Sequence, residues 1–587
     1  MSKQVFTGVF GSDAYEESKP VQRKLSDEGF EDVDVFESST STGGTEFVKV
    51  DEDLYKQSLQ TMVFEAIDKV IEQKPNRVAC YNDVNDLSDC VTFSELKEIG
   101  LTIASFLESN GLRTGANAAI VLPNCWQIVA IWYGTLFQGM SITGVSPKFG
   151  KLDSKQKIKG SNSFIVFTDM ENLDKVRFIK KDCGSVKYIV VLDATEEELE
   201  EGELTFHQML AAKVDRNRAS VPVDPENDIA LILFSSGTTG EAKSILHTHK
   251  SIVSLLMNTD ANMPGLWESA FSNGFNWIEE HQMGVLSITH AFGFYQLMLF
   301  LRKGVSFVMM KNFDATDFCK AVEAFKVRMV IIHPSRVREL LRTSKQGYDV
   351  RSIQWLMVGG SVMSPSLYHD VQSCWPHVQH VQQVWGMTEI FLPLMKDLRN
   401  DDFSSVGRAP LGVEMKVIDE NGHALPAGLR GQLCIKTPSQ MKCYGNNPEA
   451  TAKTVIDGWL HTGDLGYISE RGCVYPCGRQ KELLKVGDFT VFPFELEDTL
   501  ASDTRIADVA VIGRRVSEDP SDGEIPMAFV VKADEALGEH DVCAIIAENL
   551  AVHKQLKGGV EFVDAIPKTA IGKIDYCSLK KRSQSIG

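Results

Sequence analysis

A layered α/β architecture in two unequal parts, behind an acidic leader, is the fold class this 587-residue sequence predicts, and three observations carry it. Short apolar runs such as "SFIVFTD", "KYIVVLD", "VSFVMM" and "VRMVIIH" alternate with amphipathic segments, the rhythm of sheets covered by helices. A glycine-rich stretch, "RGCVYPCGRQKELLKVGD", interrupts that rhythm near residue 478. Residues 1–50 are acidic and poor in aliphatic pattern, and they close on the low-complexity run "ESSTSTGGTE". The predicted parts are therefore a mobile, disordered leader and linker over 1–50, a large domain over 51–478 and a small α+β domain over 479–587.

Taken in order, regular structure begins near Leu54, where "LYKQSLQTMVFEAIDKVIEQ" has helical spacing. The most apolar stretch, "ANAAIVLPNCWQIVAIWYGTLFQGMSITG", is broken by Pro123-Asn124 and reaches a glycine within a helix length. It reads as a buried strand, loop and helix, not a membrane span. "DIALILF" is a buried strand, and "SILH" after it is short and strand-like. Beyond residue 478, "FPFELEDTLAS", "IADVAVIG", "IPMAFVVK" and "DVCAIIAENL" supply the helices and strands of the small domain. No internal repeat is present.

Composition narrows the function. Apolar content of 43% and charged content of 24% are those of an ordinary soluble enzyme. A net charge of −19 argues against an extended nucleic-acid surface, while leaving room for a local basic pocket. Twelve cysteines without a C-x-x-C pair form neither a disulfide framework nor a zinc module. Cys473 and Cys477 read as free thiols. A reduced intracellular compartment, the cytoplasm, fits this usage. The N-terminus has no apolar signal region, and Ser585-Ile586-Gly587 is not a peroxisomal address.

Between the two strands of "LFSSGTTGEAKSILHTH" lie Ser235, Ser236, Gly237, Thr238, Thr239 and Gly240, with Lys243 just beyond. Small residues let backbone N–H groups converge on an oxyanion, and the hydroxyls and lysine add donors and charge. The physical reading is a phosphate cradle; the bland one is a surface loop. A Walker-type loop is disfavoured, because Ala242 takes its second glycine position and a strand follows where a helix would be needed.

Four further segments follow in order: "VQQVWGMTE", "GWLHTGDLGY", "GRQKELLKVGDFTVFPFELE" and "PKTAIGKID". With the Ser/Gly/Thr loop they closely resemble the adenylate-forming superfamily of acyl-CoA synthetases, 4-coumarate–CoA ligases and luciferases, over about residues 51–580. The resemblance implies a large domain hinged to a small mobile one. It also implies a reaction: a carboxylic acid, fatty or aryl, joins ATP to give acyl-AMP and pyrophosphate, and the acyl group then passes to coenzyme A. Magnesium would assist.

Residue by residue, the resemblance assigns the 235–240 loop and Lys243 to the leaving phosphates and Glu389 to Mg²⁺. Thr388 beside it would donate to the α-phosphate. Asp464 would accept the ribose hydroxyls with support from Arg479. Gly359, Gly360, Ser361 and Gln383 would lie along the adenine, with Trp385 offering an aromatic face where the family usually has tyrosine. His290 in "HAFGF" would begin the acyl-pocket wall, and Lys481 would be the hinge. Lys573 would reach between carboxylate and α-phosphate for adenylation and withdraw afterwards. Taken singly, Glu389 could be a solvated helix residue, Asp464 a turn aspartate, His290 a core histidine and Lys573 a solvated tail lysine.

Several positions depart from the pattern. Glu241-Ala242 stands where the family usually has Leu-Pro just after the phosphate loop, Val384 replaces a glycine near the adenine, and Gly487-Asp488 alters the stretch that lines the pantetheine tunnel. Adenylation is therefore the firmer expectation. Two alternatives stay open: an adenylate-former with another acceptor, as in luciferases, and a weakly catalytic relative that binds acyl groups or nucleotides. His333 and Arg336 in "VIIHPSRVREL" hint at a polar acid.

Overall fold

The computed structural model describes residues 56–584 except 215, 217, 235–242, 263–270, 272–273, 364, 393, 395–401, 411, 487–488, 516–523 and 569–573. At 261–262, 366 and 489–490, and in strands at 6–7, 21–26 and 29–34, it describes backbone alone. Within residues 1–50, expected from sequence to be a disordered leader and linker, these strands instead form a hairpin, Val21–Ser26 with Gly29–Asp34, and an edge pairing of Phe6–Thr7 with Glu414–Ile418.

An eight-stranded sheet organises the large part. Its strands run in the order Glu203–Thr205, Tyr188–Val191, Ile165–Thr168, Asn117–Val121, Ser141–Gly144, Ile229–Phe234, Ser244–Thr248 and Cys443–Tyr444. The first six pair in parallel. Strands such as "NAAIV" and "IVFT" are buried at every position, as parallel strands covered on both faces must be. The apolar stretch after residue 116 folds as expected into the strand Asn117–Val121, a loop and the buried helix Trp126–Phe137. Among the described residues no helix is long and apolar enough to cross a membrane.

Two smaller sheets frame the chemistry-bearing segments. Met329–Ile332, Trp355–Val358 and His380–Gln383 form a parallel trio in which every residue of the first two strands is buried. Ligands of open α/β sheets gather beyond the carboxyl ends of such strands. An antiparallel sheet joins Glu414–Ile418, Gly431–Lys436, Trp459–Ile468 and Val474–Arg479. Along Trp459–Ile468 burial alternates strictly, placing Leu460, Thr462, Asp464 and Ile468 on the inner face.

The small part has its own core. Helix Pro493–Ala501 and strands Ile506–Arg515 and Glu524–Lys532 close on Leu496, Leu500, Val511, Val530, Val542 and Ile546. Proline at the start of Pro493–Ala501 has no N–H to lose there and sets φ for the first turn. All twelve cysteines are free thiols, as their spacing predicted.

Candidate active site

A cleft of about 1370 Å³ lies between the parallel trio, the antiparallel sheet and the small part. Chain reversals beyond the trio deliver its floor: His333 follows Met329–Ile332, Gly359-Gly360-Ser361 follow Trp355–Val358, and Val384-Trp385 follow His380–Gln383. Of the residues singled out in the sequence, Gly360, Ser361, Gln383, Trp385, Asp464, Arg479 and Lys481 all line this cleft. They come from separate segments spread between Gly360 and Lys481.

Gly359 is buried beneath this floor. A Cβ there would lie 2.5 Å from Val384 Cγ2 and 2.8 Å from Phe292 Cε1. The unusual Val384 is thus accommodated by the glycine facing it. The "HAFGF" segment reaches this floor through Phe292. His290 stands at the N-terminus of helix Ala291–Leu301 and is not among the cleft-lining residues. Gln383 lines the cleft, but its amide is committed elsewhere: Met363 N–H donates to Oε1 at 2.8 Å, and Nε2 donates to the Phe403 carbonyl at 2.9 Å. It braces two loops of the floor. Of the pair that hinted at a polar acid, only His333 faces the cleft. The Arg336 guanidinium stacks over Phe313 at 4.8 Å and contacts Glu339 at 3.4 Å.

Asp464 and Arg479 are cross-strand partners, and Arg479 Nε is 3.1 Å from Asp464 Oδ1. Trp385 Nε1–H donates to Asp464 Oδ2 at 2.8 Å, with both side chains buried. Lys481 follows in a 3₁₀ turn, Gln480–Glu482, where the chain leaves the antiparallel sheet for the small part.

Glu389 sits in a tight turn of unusual construction. Met387 N–H donates to the Phe391 carbonyl at 3.1 Å, and Phe391 adopts a left-handed φ of 57°. Gly386 is indispensable here, because a Cβ would fall 1.8 Å from the Phe391 carbonyl oxygen. Two residues that sequence reasoning missed complete the turn. His247, fully buried on Ser244–Thr248, is held neutral by burial, its pKa lowered to about 4. Its Nε2–H donates to the Thr388 carbonyl at 2.8 Å. Tyr444 O–H donates to Glu389 Oε1 at 2.8 Å. Burial raises the Glu389 carboxyl above its ordinary range, and among the described residues no cation forms an ion pair with it.

Tyr444 does more than hold Glu389. It pairs across strands with Ile245, and its ring carries the Lys243 ammonium at 5.0 Å from the centroid. One tyrosine thus joins Lys243 to the buried carboxylate. Its signal was the stretch "MKCYGNNPEAT", whose lone aromatic marks no periodic element. Residues 235–240, Glu241, Ala242, Gly487, Asp488 and Lys573 lie outside the described residues.

With this geometry established, comparison with known proteins is informative. The family model described as AMP-binding enzyme matches residues 67–445, and that of the AMP-binding enzyme C-terminal domain matches residues 495–573. 4-Coumarate–CoA ligase 1 of Arabidopsis thaliana is 30% identical over 498 residues, covering 82% of this chain and 86% of that protein. The 4-coumarate–CoA ligase of Vanilla planifolia is 30% identical over 536 residues, covering 89% and 93%. Among solved structures, an anthranilate CoA ligase bound to anthranoyl-AMP superposes with a TM-score of 0.78 at 21% identity, covering 90% and 98%. ATP-bound MatB of Rhodopseudomonas palustris gives 0.77 at 22%, covering 90% and 100%. The amide bond synthetase McbA of Marinactinospora thermotolerans gives 0.76 at 21%, covering 89% and 99%. These last three likenesses speak to the fold.

Proposed function

Because the chain belongs to the AMP-binding enzyme family, we propose that it is an acid–thiol ligase that adenylates a fatty or aryl carboxylic acid with ATP and transfers the acyl group to coenzyme A. One observation carries this reading: a carboxylate, an arginine, an indole and a glycine floor from distant segments meet in a single cleft large enough for a nucleotide and an acid. A weakly catalytic relative that only binds nucleotides would share this cleft, and it is the exchange assay below that separates the two readings.

In this reading Asp464 accepts the ribose hydroxyls, and Arg479 restrains its carboxylate. Gly360 and Ser361 let the adenine approach the backbone closely, Gly359 makes room beneath them for Val384 and Phe292, and Trp385 supplies the aromatic wall. Lys243 and the 235–240 loop receive the leaving pyrophosphate, and Thr388 donates to the α-phosphate. His247 fixes that turn through the Thr388 carbonyl. Glu389 fits a hard divalent cation, because it is a buried carboxylate with one oxygen held by Tyr444 and, among the described residues, no ion pair, the Arg479 charge reaching it only at longer range. No cluster of three metal-ligating side chains is present among the described residues, so phosphate oxygens would complete the coordination. Mg²⁺ held there would neutralise phosphate charge. Lys573, on the small part, stabilises charge between the attacking carboxylate and the α-phosphorus. Lys481 lets the small part turn, so that a second face serves the thiol step.

The test is ATP–pyrophosphate exchange across a panel of fatty and aryl acids, with and without coenzyme A, followed by mass spectrometry. Exchange with at least one acid and formation of its acyl-CoA are expected. Acyl-AMP that accumulates and never reacts with the thiol would refute the acceptor and implicate Asp488, in which case Asp488→Gly should restore transfer.

A further inference from the structure

The aromatic residue beside the adenine was expected to contribute only a ring face, the indole lacking the hydroxyl of the usual tyrosine. Its ring nitrogen tells a different story. Trp385 Nε1 donates to Asp464 Oδ2 at 2.8 Å, and only 9% of Trp385 and 6% of Asp464 is exposed. An indole N–H donates and cannot accept, so its partner here is fixed as the carboxylate. The other oxygen, Oδ1, lies 3.1 Å from Arg479 Nε but accepts no aligned hydrogen bond from any described residue. Asp464 Oδ1 is thus restrained by charge with its lone pairs left over, while Oδ2 is pinned by a directional donor.

Strand geometry explains why a pin is needed. Asp464 sits on Trp459–Ile468, whose Thr462 hydroxyl accepts the Asp464 N–H at 3.0 Å and so fixes the backbone. The side chain is still free to rotate about its terminal bond, a broad and roughly two-fold torsion. Arg479, whose side chain is 42% exposed, is a weak restraint on that rotation. Trp385 is a strong one, because it comes from the neighbouring parallel sheet and is itself buried.

We propose that Trp385 is a positioning residue for ribose recognition: its indole N–H orients the Asp464 carboxylate so that it can receive both vicinal hydroxyls of ATP. This rests on the ATP-dependent reading above. It makes the indole a determinant of sugar selectivity in addition to any contact it makes with the base.

The experiment is calorimetric binding of ATP, 2′-deoxyATP and 3′-deoxyATP to the full chain, which needs no knowledge of the acid. Wild type should prefer ATP. Trp385→Phe keeps an aromatic face and removes the donor. It should weaken ATP binding by about 10- to 100-fold, the worth of one hydrogen bond to a charged group. The two deoxynucleotides should change far less, so the preference for ATP collapses. Should Trp385→Phe fail to fold, β-(3-benzothienyl)alanine at position 385 keeps the bicyclic shape with sulfur in place of N–H, and the same collapse is expected. Equal weakening toward all three nucleotides, which a purely structural or base-stacking indole would produce, overturns the proposal. So does an unchanged preference. A wild-type chain that binds no ATP overturns the underlying reading together with it.

Discussion

Raising the pH through neutrality should loosen the small part, and a single carboxyl accounts for the effect. Glu497, half-buried on helix Pro493–Ala501 and lining the cleft, accepts Val511 N–H at 2.8 Å and Tyr576 O–H at 3.1 Å. The carboxylates of Glu482, on the 3₁₀ turn, and Asp508, on the adjoining strand, face it; Asp508 is itself paired with Lys568 at 3.0 Å. Burial, reinforced by those like charges, raises the Glu497 pKa from 4.5 to about 7. The folded state therefore holds this proton more tightly than the unfolded chain does. Its contribution to stability is complete below pH 4.5 and is lost as pH climbs through about 7. At about 1.4 kcal/mol per pH unit the full span is on the order of 3 kcal/mol, and exposure to the cleft reduces it to about 1–3 kcal/mol. For a domain of about 100 residues that corresponds to a fall in Tm of roughly 5–15 °C. Scanning calorimetry of the full chain at pH 4.5, 5.5, 6.5 and 7.5 should show this fall in the transition of the small part. Glu497→Gln, neutral at every pH and still able to accept from Tyr576, should flatten the dependence. Parallel pH profiles for wild type and Glu497→Gln across that pH range would refute the argument.

Three further outcomes are expected. Lys573→Ala should lose adenylation by about 10²–10³-fold while converting supplied acyl-AMP to acyl-CoA normally, as judged by pyrophosphate exchange and a thioester assay; loss of both steps would point to a structural lysine. Tyr444→Phe leaves the ring under Lys243 but strips a donor from the buried Glu389. It should raise the Mg²⁺ concentration needed for half-maximal exchange by about tenfold and cost about 1–3 kcal/mol of stability, because a buried carboxylate oxygen loses its donor. Gly386→Ala drives a methyl into the Phe391 carbonyl and should cost about 3 kcal/mol or more in denaturant unfolding; a near-neutral result would show that the 386–391 turn relaxes freely.

The expected site residues differed in how far their surroundings could be foreseen. Asp464 and Arg479 were expected to serve the same ribose, and they emerge as cross-strand partners because fifteen residues of hairpin return one beside the other. Gln383 was expected along the adenine, but its amide serves two backbone groups of distant loops. Nothing in "VQQVWGMTE" could announce those partners, since they come from residues 363 and 403. His247 and Tyr444 went unremarked for a related reason. Each lies on a short strand without a strict alternation to mark it, and each acts through one atom on a turn more than fifty residues away.

Periodicity and punctuation are local properties, and they were enough to reveal the strand–helix alternation and the paired strands on either side of the Ser/Gly/Thr segment. Short motifs did the same for the chemical groups, because glycines, hydroxyls, carboxylates and lysines have restricted uses at fixed spacing. Pairings across the fold are of another kind. The indole that pins Asp464, the tyrosine that bridges Lys243 to Glu389, and the carboxyl of Glu497 raised by its neighbours all depend on burial and on distances between residues far apart in the chain. A side chain's partner and its desolvation are decided only when the sheets pack. Until then Trp385 is an aromatic residue like any other, and Glu497 an ordinary acid.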